Sequence, residues 1–392
     1  MMDGYLEFKK IAALVPNDGE RIDWEALGKT SLAPVFEKMS KTQQNPLYHG
    51  EIDVLSHTRL VCGEIVKQPE YKRSSLEDKT VLFVAALLHD IGKIACTVEV
   101  DGVIKSPHHS SKGAIMARRL LWRELGLCGT PEKQQMREAI CSLVRYHSFP
   151  PYAINDGDVE LKLLKIASNG YLVGSFTLEK LCVLERADAL GRIATDIPDV
   201  LERVEYCSAL AGELGCLTKP YGFVNDFSQR AFFKGKTVWR EQDMFNDTWG
   251  KVILMSGLPG TGKDTFIKKN YSDLPMISLD EIRKELNVSP KDNQGRVVAL
   301  AHERAKELLR KKQPFVWNAT NITTQMRDMQ ISLFEDYGAA VETVFLETDF
   351  EEQLNRNQSR ESEVPVSAIE AMFSKLTLPE RHESERVLWK TV

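Results

Sequence analysis

The sequence predicts two folded units of different class: an all-α unit in the N-terminal half and an α/β unit with a parallel sheet in the C-terminal half. The chain has 392 residues, which is long for one domain. Apolar residues recur at helical spacing in the first half, whereas short apolar strands alternate with helices after Lys251. Six of the eight histidines lie between His49 and His147, and the glycine-rich loop follows Lys251, so each half carries its own candidate site.

We divide the chain into four parts: residues 1–40, an extension packed on the helical unit; 41–215, the helical unit; 216–249, an aromatic connector packed against one of the units; and 250–392, the α/β unit. The helical spacing is clearest in TVLFVAALLHDIGKIA, KGAIMARRLLWREL, QQMREAICSLVRYH and VELKLLKIASNG. In the second half we predict strands at KVILMSG, LPMISLD, PFVWNAT and VETVFLET. We predict helices at GKDTFIKKN, DEIRKEL and VVALAHERAKELLRKK.

The composition is that of an ordinary soluble globular protein, with 43% hydrophobic and 27% charged residues. We find neither an apolar run long enough to span a membrane nor the pattern of a secretory signal. The seven cysteines are scattered and form no CxxC pair. We therefore expect a cytoplasmic protein with reduced thiols and no membrane partner. The net charge of −5 means that any contact with nucleic acid must come from a local basic surface.

The stretch GLPGTGKDT, residues 257–265, has the GxxxxGK pattern of a phosphate-binding loop and lies between a predicted strand and a predicted helix. The glycines that would let the backbone fold round phosphates are Gly257, Gly260 and Gly262. Lys263 supplies a positive charge for the outer phosphates. The stretch therefore predicts an ATP site, and a glycine-rich turn without a nucleotide is the alternative interpretation.

Asp264 stands where this pattern has the Ser or Thr whose hydroxyl ligates Mg²⁺. We expect the carboxylate of Asp264 to replace the hydroxyl as a ligand of Mg²⁺, directly or through water. Thr265 lies about 100° further round the helix, where it would bind the α-phosphate.

Asp280 follows the next predicted strand and can accept the proton of an attacking hydroxyl, although it can also be the N-cap of the helix DEIRKEL. Arg283 lies one helical turn further on and would bind an acceptor phosphate, unless it is a solvated surface residue. Arg356 and Arg360 project from one helix face towards a transferred phosphate, or are balanced by Glu351, Glu352 and Glu361.

Asn318 and Asn321 follow a further strand in the sequence WNATN. They would orient the acceptor hydroxyl or a metal-bound water, with turn-forming polar residues as the alternative. Together, GLPGTGKDT, DEIR at 280–283, WNATN and RNQSR at 356–360 resemble the 5′-hydroxyl polynucleotide kinases of the P-loop superfamily. The resemblance implies that Lys263 and Arg356 hold the donor phosphates and that Asp280 is the general base. It also implies that Arg283 binds the phosphate next to the acceptor hydroxyl.

The sequence HDIGK at 89–93 is the centre of the N-terminal site, since adjacent His89 and Asp90 on a helix offer an imidazole and a carboxylate to a divalent metal. Further histidines occur in HGEIDVLSHT, PHHSSKGA and RYHSF, and an aspartate occurs in ERADALGR. The order His, His-Asp, His, His, Asp resembles the HD-domain metal-dependent phosphohydrolases. The resemblance implies one metal on His57, His89, Asp90 and Asp188, and a second metal on His109 and His147.

The donor set suits one or two divalent transition metals, which would activate a water for attack on a phosphate ester. His49 is interpreted as a substrate-binding residue or as a support for the ligands. Lys93 and Arg192 would neutralise substrate phosphate, with solvated helix residues as the alternative.

An HD phosphohydrolase ahead of a kinase of this type resembles the bifunctional HD-domain polynucleotide kinases that heal broken RNA or DNA ends. The resemblance implies removal of 2′,3′-cyclic, 2′- or 3′-phosphate by the HD unit and phosphorylation of a 5′-OH by the kinase unit. RNA or DNA ends would be the substrates, with a functional link to a ligase. Two alternatives stay open: an HD nucleotidase fused to a kinase of a nucleoside or small metabolite, and a P-loop that binds ATP only to regulate the HD unit.

Overall fold

A computed structural model describes residues 4–17, 20–289, 292–360 and 363–392. The chain forms two compact units, Met1–Tyr221 and Gly222–Val392. Among the described residues, none of the helices combines the length and the apolar character needed to cross a lipid bilayer.

The N-terminal unit is helical, as predicted, apart from one short hairpin. Its helices are α1 (Gly4–Ala13), α2 (Trp24–Leu27), α3 (Ala33–Ser40), α4 (Val54–Ile65), α5 (Pro69–Arg73), α6 (Leu76–Leu88), α7 (Lys93–Cys96), α8 (His109–Arg119), α9 (Pro131–Tyr146), α10 (Val159–Ser168), α11 (Leu178–Leu190) and α12 (Ile197–Glu213). The hairpin pairs β1 (Val98–Val100) with β2 (Val103–Lys105) in antiparallel fashion. Short 3₁₀ segments lie at Pro150–Asn155 and Asn169–Tyr171, and a π-helical turn at Leu120–Glu124.

Helix α6 is the centre of this unit, because it is buried at every residue from Lys79 to Leu88 and packs against α4, α9 and α11. Each of these four helices begins at a residue whose side chain accepts a hydrogen bond from a backbone N–H of the first turn. The four N-caps are Asp53, Ser75, Thr130 and Thr177. Such a cap stabilises a helix end by about 1 kcal/mol, so the sequence itself determines where the helices of the core begin.

The sequence HDIGK does not continue a helix, contrary to our expectation. Helix α6 ends at Leu88, His89 is its C-cap, and a new helix starts at Lys93. A Cβ atom at Gly92 would lie 2.0 Å from the carbonyl oxygen of His109. The chain can therefore turn here only because this position lacks a side chain, and the turn brings Asp90 next to the start of α8.

The C-terminal unit contains a five-stranded parallel sheet within the described residues, in the order β4-β5-β3-β6-β7. The strands are β3 (Lys251–Ser256), β4 (Met276–Ser278), β5 (Phe315–Asn318), β6 (Ala340–Glu347) and β7 (Arg386–Thr391). The helices are α13 (Asp226–Phe233), α14 (Lys263–Asn270), α15 (Leu279–Leu286), α16 (Gly295–Arg310), α17 (Thr324–Asp336), α18 (Phe350–Gln358) and α19 (Val366–Phe373).

Apolar clusters cover both faces of the sheet, so the buried strands read as near-continuous hydrophobic runs. The predicted alternation of strands and helices is present, but α17, α19 and β7 were not predicted. Strand β7 escaped prediction because the sequence RVLWKT lies next to the chain end and has a half-exposed, weakly patterned face.

The aromatic segment 216–249 belongs mostly to the C-terminal unit. It contains α13, whose Arg230 donates to Glu335 at 2.7 Å. The indole Nε1 of Trp249 donates to the carbonyl oxygen of Tyr337 at 2.8 Å. These contacts attach the segment to the end of α17.

Candidate functional site

The structure brings together the side chains predicted as metal ligands in the N-terminal unit: His57, His89, Asp90, His109, His147 and Asp188. We call this group the metal centre. Three of its histidines lie at helix termini, since His89 and His147 are C-caps of α6 and α9 and His109 begins α8. The packing of separate helix ends thus collects donors that are far apart in sequence.

Three histidines have their ring tautomer determined by the backbone. Nδ1 of His89 lies 2.8 Å from the carbonyl oxygen of Ala86, and the corresponding distances for His109 and His147 are both 2.9 Å. A carbonyl oxygen can only accept, so each Nδ1 carries a proton and Nε2 is the nitrogen left to ligate a metal. Unprotonated Nε2 atoms are the form in which histidine ligates a metal.

The Nε2 atoms of His57, His89, His109 and His147 form two groups, and each group also includes one oxygen of Asp90. Nε2 of His89 lies 3.3 Å from Nε2 of His57 and 3.3 Å from Oδ2 of Asp90. Nε2 of His109 lies 3.3 Å from Nε2 of His147 and 3.4 Å from Oδ1 of Asp90. Two ligand atoms about 2.1 Å from one ion, at roughly 90–109° to each other, are separated by about 3.0–3.4 Å.

Each group therefore fits one divalent ion, with Asp90 facing both groups through different oxygens. Asp188 joins the first group, where its Oδ1 lies 2.8 Å from Nε2 of His57. Facing lone pairs at these distances repel each other unless a cation or a proton lies between them, which is a physical reason for the centre to take up metal.

The protonation states also suit a metal centre. Burial lowers the pKa of His147 to about 3 and lowers the pKa of His109, so both rings are neutral. Burial alone would raise the pKa of Asp90, but neighbouring positive charge, first of all that of Lys93, outweighs burial and holds this pKa well below its usual value. His109 and His147 are thus neutral imidazoles beside an ionised carboxylate.

His57 differs, because burial lowers its pKa while its contacts with the carboxylates of Asp188 and Glu51 raise this pKa by more. His57 must therefore release a proton before its Nε2 can bind a metal.

The two cations predicted to contact substrate phosphate, Lys93 and Arg192, are each paired with a carboxylate of the metal centre, and their contact with substrate stays a prediction. Nζ of Lys93 lies 2.7 Å from Oδ2 of Asp90 and donates to Oε1 of Gln44 at 2.6 Å. Arg192 donates to Oδ2 of Asp188 at 2.8 Å. Lys93 thus stabilises the ionised form of Asp90, and Arg192 stabilises that of Asp188.

Sequence reasoning missed two side chains around this centre, Gln44 and Glu51. Glu51 lies 2.7 Å from Nδ1 of His49, a residue that we predicted to bind substrate or to support the ligands. A carboxylate two positions after a histidine was the available signal, but Gln44 had none, because its partner Lys93 is 49 positions away.

The second site is the phosphate-binding loop at the carboxyl end of β3. Its three glycines all have positive φ, 144° at Gly257, 81° at Gly260 and 82° at Gly262. A Cβ atom at Gly257 would lie 2.6 Å from the carbonyl oxygen of Leu346. Glycine is thus required both by conformation and by close approach of the backbone. Nζ of Lys263 donates to the carbonyl oxygens of Gly257 and Leu258, both at 2.9 Å.

Asp264 lies in the exposed first turn of α14, next to Thr265. Nδ2 of Asn318, at the end of β5, donates to Oδ1 of Asp264 at 2.7 Å. Asn321 has a different environment, since it is buried and its Nδ2 donates to the carbonyl oxygen of Met255 at 2.7 Å. Asn318 therefore lies at the phosphate-binding loop, whereas Asn321 ties the following loop to β3.

Asp280 is not the N-cap of its helix. Helix α15 begins one residue earlier, and the side chain of Ser278 caps it by accepting from the N–H of Glu281 at 3.3 Å. The carboxylate of Asp280 is 66% exposed. Arg283 donates to it through NH1, and NH2 of Arg360 lies 3.5 Å from its Oδ2. The carboxylate of Asp280 is thus accessible to a ligand, because it does not cap the helix.

Arg356 and Arg360 occupy different positions at the end of α18. Nε of Arg356 donates to Glu352 at 2.7 Å, the balancing pair considered as an alternative, while a Cβ atom at Gly262 would lie 3.2 Å from its NH1. The side chain therefore lies against the phosphate-binding loop even though it is paired. Glu361, the other balancing residue considered, lies outside the described residues.

Two family models match the chain, one within each compact unit. Residues 54–192 match the family model of the HD domain, and residues 252–379 match a family model described as an AAA domain. A crystal structure from Chloroflexus aurantiacus, described as that of a candidate kinase, is similar at 16% identity and a TM-score of 0.31, over 37% of this chain and 86% of that chain. The helical unit therefore has a region that matches the HD domain and a His/Asp cluster able to hold metal, and the second unit has a region that matches the AAA domain, with a phosphate-binding loop and a parallel sheet.

Proposed function

We propose that the protein heals the ends of broken RNA or DNA. In this proposal the HD domain removes 2′,3′-cyclic, 2′- or 3′-phosphate, and the P-loop domain transfers the γ-phosphate of ATP to a 5′-OH. The observation that carries the kinase part is the exposed Asp280 carboxylate, contacted by Arg283 and Arg360. A P-loop that only binds ATP needs neither a general base nor an arginine beside it.

The kinase step assigns a role to each residue of the P-loop site. Lys263 and Arg356 hold the phosphates of ATP, and the charges of Asp280 and Arg360 lie close enough to Lys263 to affect its pKa. Asp280 accepts the proton of the attacking 5′-OH. Arg283, which is also held by Gln294 at 2.7 Å, binds the phosphate next to that hydroxyl.

Asp264, oriented by Asn318, would hold Mg²⁺ together with the ATP phosphates, and Thr265 would contact the α-phosphate. When bound, Mg²⁺ neutralises charge that develops on the transferred phosphate.

The phosphoesterase step uses the metal centre. Bound divalent metals would lower the pKa of a water and polarise the phosphoryl oxygen. The residues that would hold these ions are His57, His89, Asp90, His109, His147 and Asp188. Lys93 and Arg192 keep the carboxylates ionised, and His49 at the edge of the centre would bind the substrate phosphate.

The two activities act on opposite ends of a break. Together they would leave a 3′-OH and a 5′-phosphate, which are the ends that a ligase joins. We therefore propose a ligase as the functional partner.

The test is an end-labelling assay. The full chain is incubated with ATP labelled at the γ-phosphate and an oligonucleotide that has a 5′-OH and a 2′,3′-cyclic phosphate, with Mg²⁺ and separate additions of Mn²⁺, Co²⁺, Ni²⁺ or Zn²⁺. We expect label at the 5′ end and loss of the cyclic phosphate. Label on a nucleoside but not on the oligonucleotide would instead support the small-metabolite kinase. ATP binding without any transfer would support the regulatory P-loop.

A further inference from the structure

The segment before α4 contacts the metal centre from outside. Gln43 and Asp53 form an isolated antiparallel bridge, and the N–H of Gln44 donates to the carbonyl oxygen of Ile52 at 2.9 Å. We call residues 43–53 the support loop. Two side chains near the ends of this loop contact the centre or its surroundings. Gln44 accepts from Lys93, and Glu51 lies next to His57.

Glu51 is the more deeply engaged of the two. Its side chain is 2% exposed, and Oε1 lies 2.9 Å from Nδ1 of His57 and 2.7 Å from Nδ1 of His49. Its other oxygen, Oε2, accepts from the N–H of Ile193 at 3.1 Å. The contacts with His49 and Ile193 are hydrogen bonds that determine the orientation of the carboxylate, while the contact with His57 is an ion-pair contact. The carboxylate held in this way can in turn orient both imidazoles.

His57 needs such a partner because of its place in the helix. His89 and His147 lie at the ends of helices, where a carbonyl oxygen three residues earlier is free to accept from Nδ1. His57 lies in the first turn of α4, whose carbonyl oxygens serve the hydrogen bonds of that helix. Among the described residues, the carboxylate next to Nδ1 of His57 is that of Glu51, which comes from outside the helix.

The backbone beside Glu51 is strained. Ile52 has φ of 73°, in the left-handed region that β-branched residues rarely adopt. Its side chain is 70% exposed, so burial of the side chain does not explain this conformation. Strain of this kind persists where the surrounding structure requires a particular geometry, and here the adjacent residue is the one that contacts His57 and His49.

We propose that Glu51 is a positioning residue of the metal centre, which holds the Nδ1 atoms of His57 and His49 so that Nε2 of His57 faces the metal. The proposal rests on the metal centre of the proposed function. A carboxylate behind a metal-bound histidine fixes the ring and makes it a better ligand.

The test is metal binding by the full chain, with Co²⁺ as the probe because its visible spectrum reports its ligands. Metal-free wild type, Glu51→Ala and Glu51→Gln are titrated with Co²⁺ and with Mn²⁺. Loss of such a carboxylate typically weakens metal binding by about 10–100-fold, which is the result expected for Glu51→Ala, together with a changed Co²⁺ spectrum. Glu51→Gln should be intermediate, because its amide oxygen can still accept from one imidazole.

The matched control is Glu64→Ala. Glu64 lies on the same helix as His57, but its carboxylate pairs with Lys67 at 2.6 Å. This variant should bind Co²⁺ like the wild type. An unchanged far-ultraviolet circular dichroism spectrum and thermal unfolding curve, to which the helical unit contributes, show that each Glu51 variant is folded.

Two results would overturn the inference, and they differ. Wild-type affinity and spectrum in Glu51→Ala would show that His57 needs no support, while the metal centre itself would stand. A wild type that binds neither Co²⁺ nor Mn²⁺ would remove both the metal centre and the role of Glu51.

Discussion

Nδ2 of Asn318 donates a hydrogen bond to Oδ1 of Asp264 at 2.7 Å, and this contact joins the end of β5 to the first turn of α14. The carboxylate that replaces the usual hydroxyl of the phosphate-binding loop is therefore held by a neighbouring strand. This hydrogen bond engages Oδ1, so Oδ2 of Asp264 can ligate a cation. The substitution is thus compatible with a working Mg²⁺ site.

The first prediction concerns Mg²⁺. Asp264→Ala should raise the Mg²⁺ concentration needed for half-maximal kinase activity by at least about tenfold, and Asn318→Ala should raise it by a smaller factor, because one removes the ligand and the other its support. The measurement is a Mg²⁺ titration at saturating ATP. Asp273→Ala, which removes an exposed carboxylate after α14, should match the wild type. Full activity of Asp264→Ser at low Mg²⁺ would show that the carboxylate is dispensable.

The second prediction separates the two activities. Asp280→Asn should lower 5′-OH phosphorylation by about 10²–10⁴-fold, the usual contribution of a general base, and leave the phosphoesterase intact. Asp90→Asn should do the reverse, because Asp90 faces both groups of histidines that could hold a metal. Both reactions are measured on one oligonucleotide. Loss of both activities in either variant would contradict the assignment of separate sites.

The third prediction is a pH dependence of ATP binding. Burial lowers the pKa of Lys263 to about 8, although Asp264 and Asp280 oppose this shift. Only the protonated amine attracts phosphate, so ATP binding takes up a proton above this pKa and weakens as the pH rises. Roughly one tenth of the amine is protonated one unit above its pKa, so ATP affinity at pH 9 should be about tenfold lower than at pH 7.

The measurement for Lys263 is calorimetric binding of a non-hydrolysable ATP analogue at pH 7, 8 and 9. Lys263→Arg should bind with little change over this range, because a guanidinium remains charged. A wild type whose affinity is constant from pH 7 to 9 would show that the lysine keeps its proton throughout.

The fourth prediction concerns the stability of the C-terminal unit. Arg327 is fully buried and donates to both oxygens of Glu383, at 2.6 and 2.8 Å, and to the carbonyl oxygen of Thr377 at 2.8 Å. Arg327→Ala leaves the Glu383 carboxylate buried without its partner, and should lower the free energy of unfolding by about 3–5 kcal/mol.

Thermal unfolding of the full chain checks this prediction. The transition of the C-terminal unit is identified as the one that the ATP analogue shifts to higher temperature. Arg304→Ala is the control, since it breaks an exposed pair with Glu285 at 2.7 Å that contributes about 0–1 kcal/mol. Equal losses in the two variants would mean that the buried pair adds no more than a surface pair.

Much of the fold followed from local patterns. The helical spacing of the first half and the alternation of strands and helices after Lys251 predicted the two architectures. The same patterns placed Asp280 at the wrong position relative to its helix, because Ser278 is also a good N-cap and competes for that role. They also extended α6 through HDIGK. Helix propensity depends on the local sequence and carries no information about the close approach of Gly92 to the backbone of His109.

The sequence by itself determined the phosphate-binding loop and the residue types of the metal centre, because spacing within a single loop or turn is set by local backbone geometry. Only the tertiary structure decided which donors meet. His57 and Asp188 are 131 positions apart, and their 2.8 Å contact depends on the packing of α4 against α11. The support of His57 by Glu51 and of Asp264 by Asn318 was decided in the same way, because such contacts arise from the packing of elements and leave no periodic pattern in the chain.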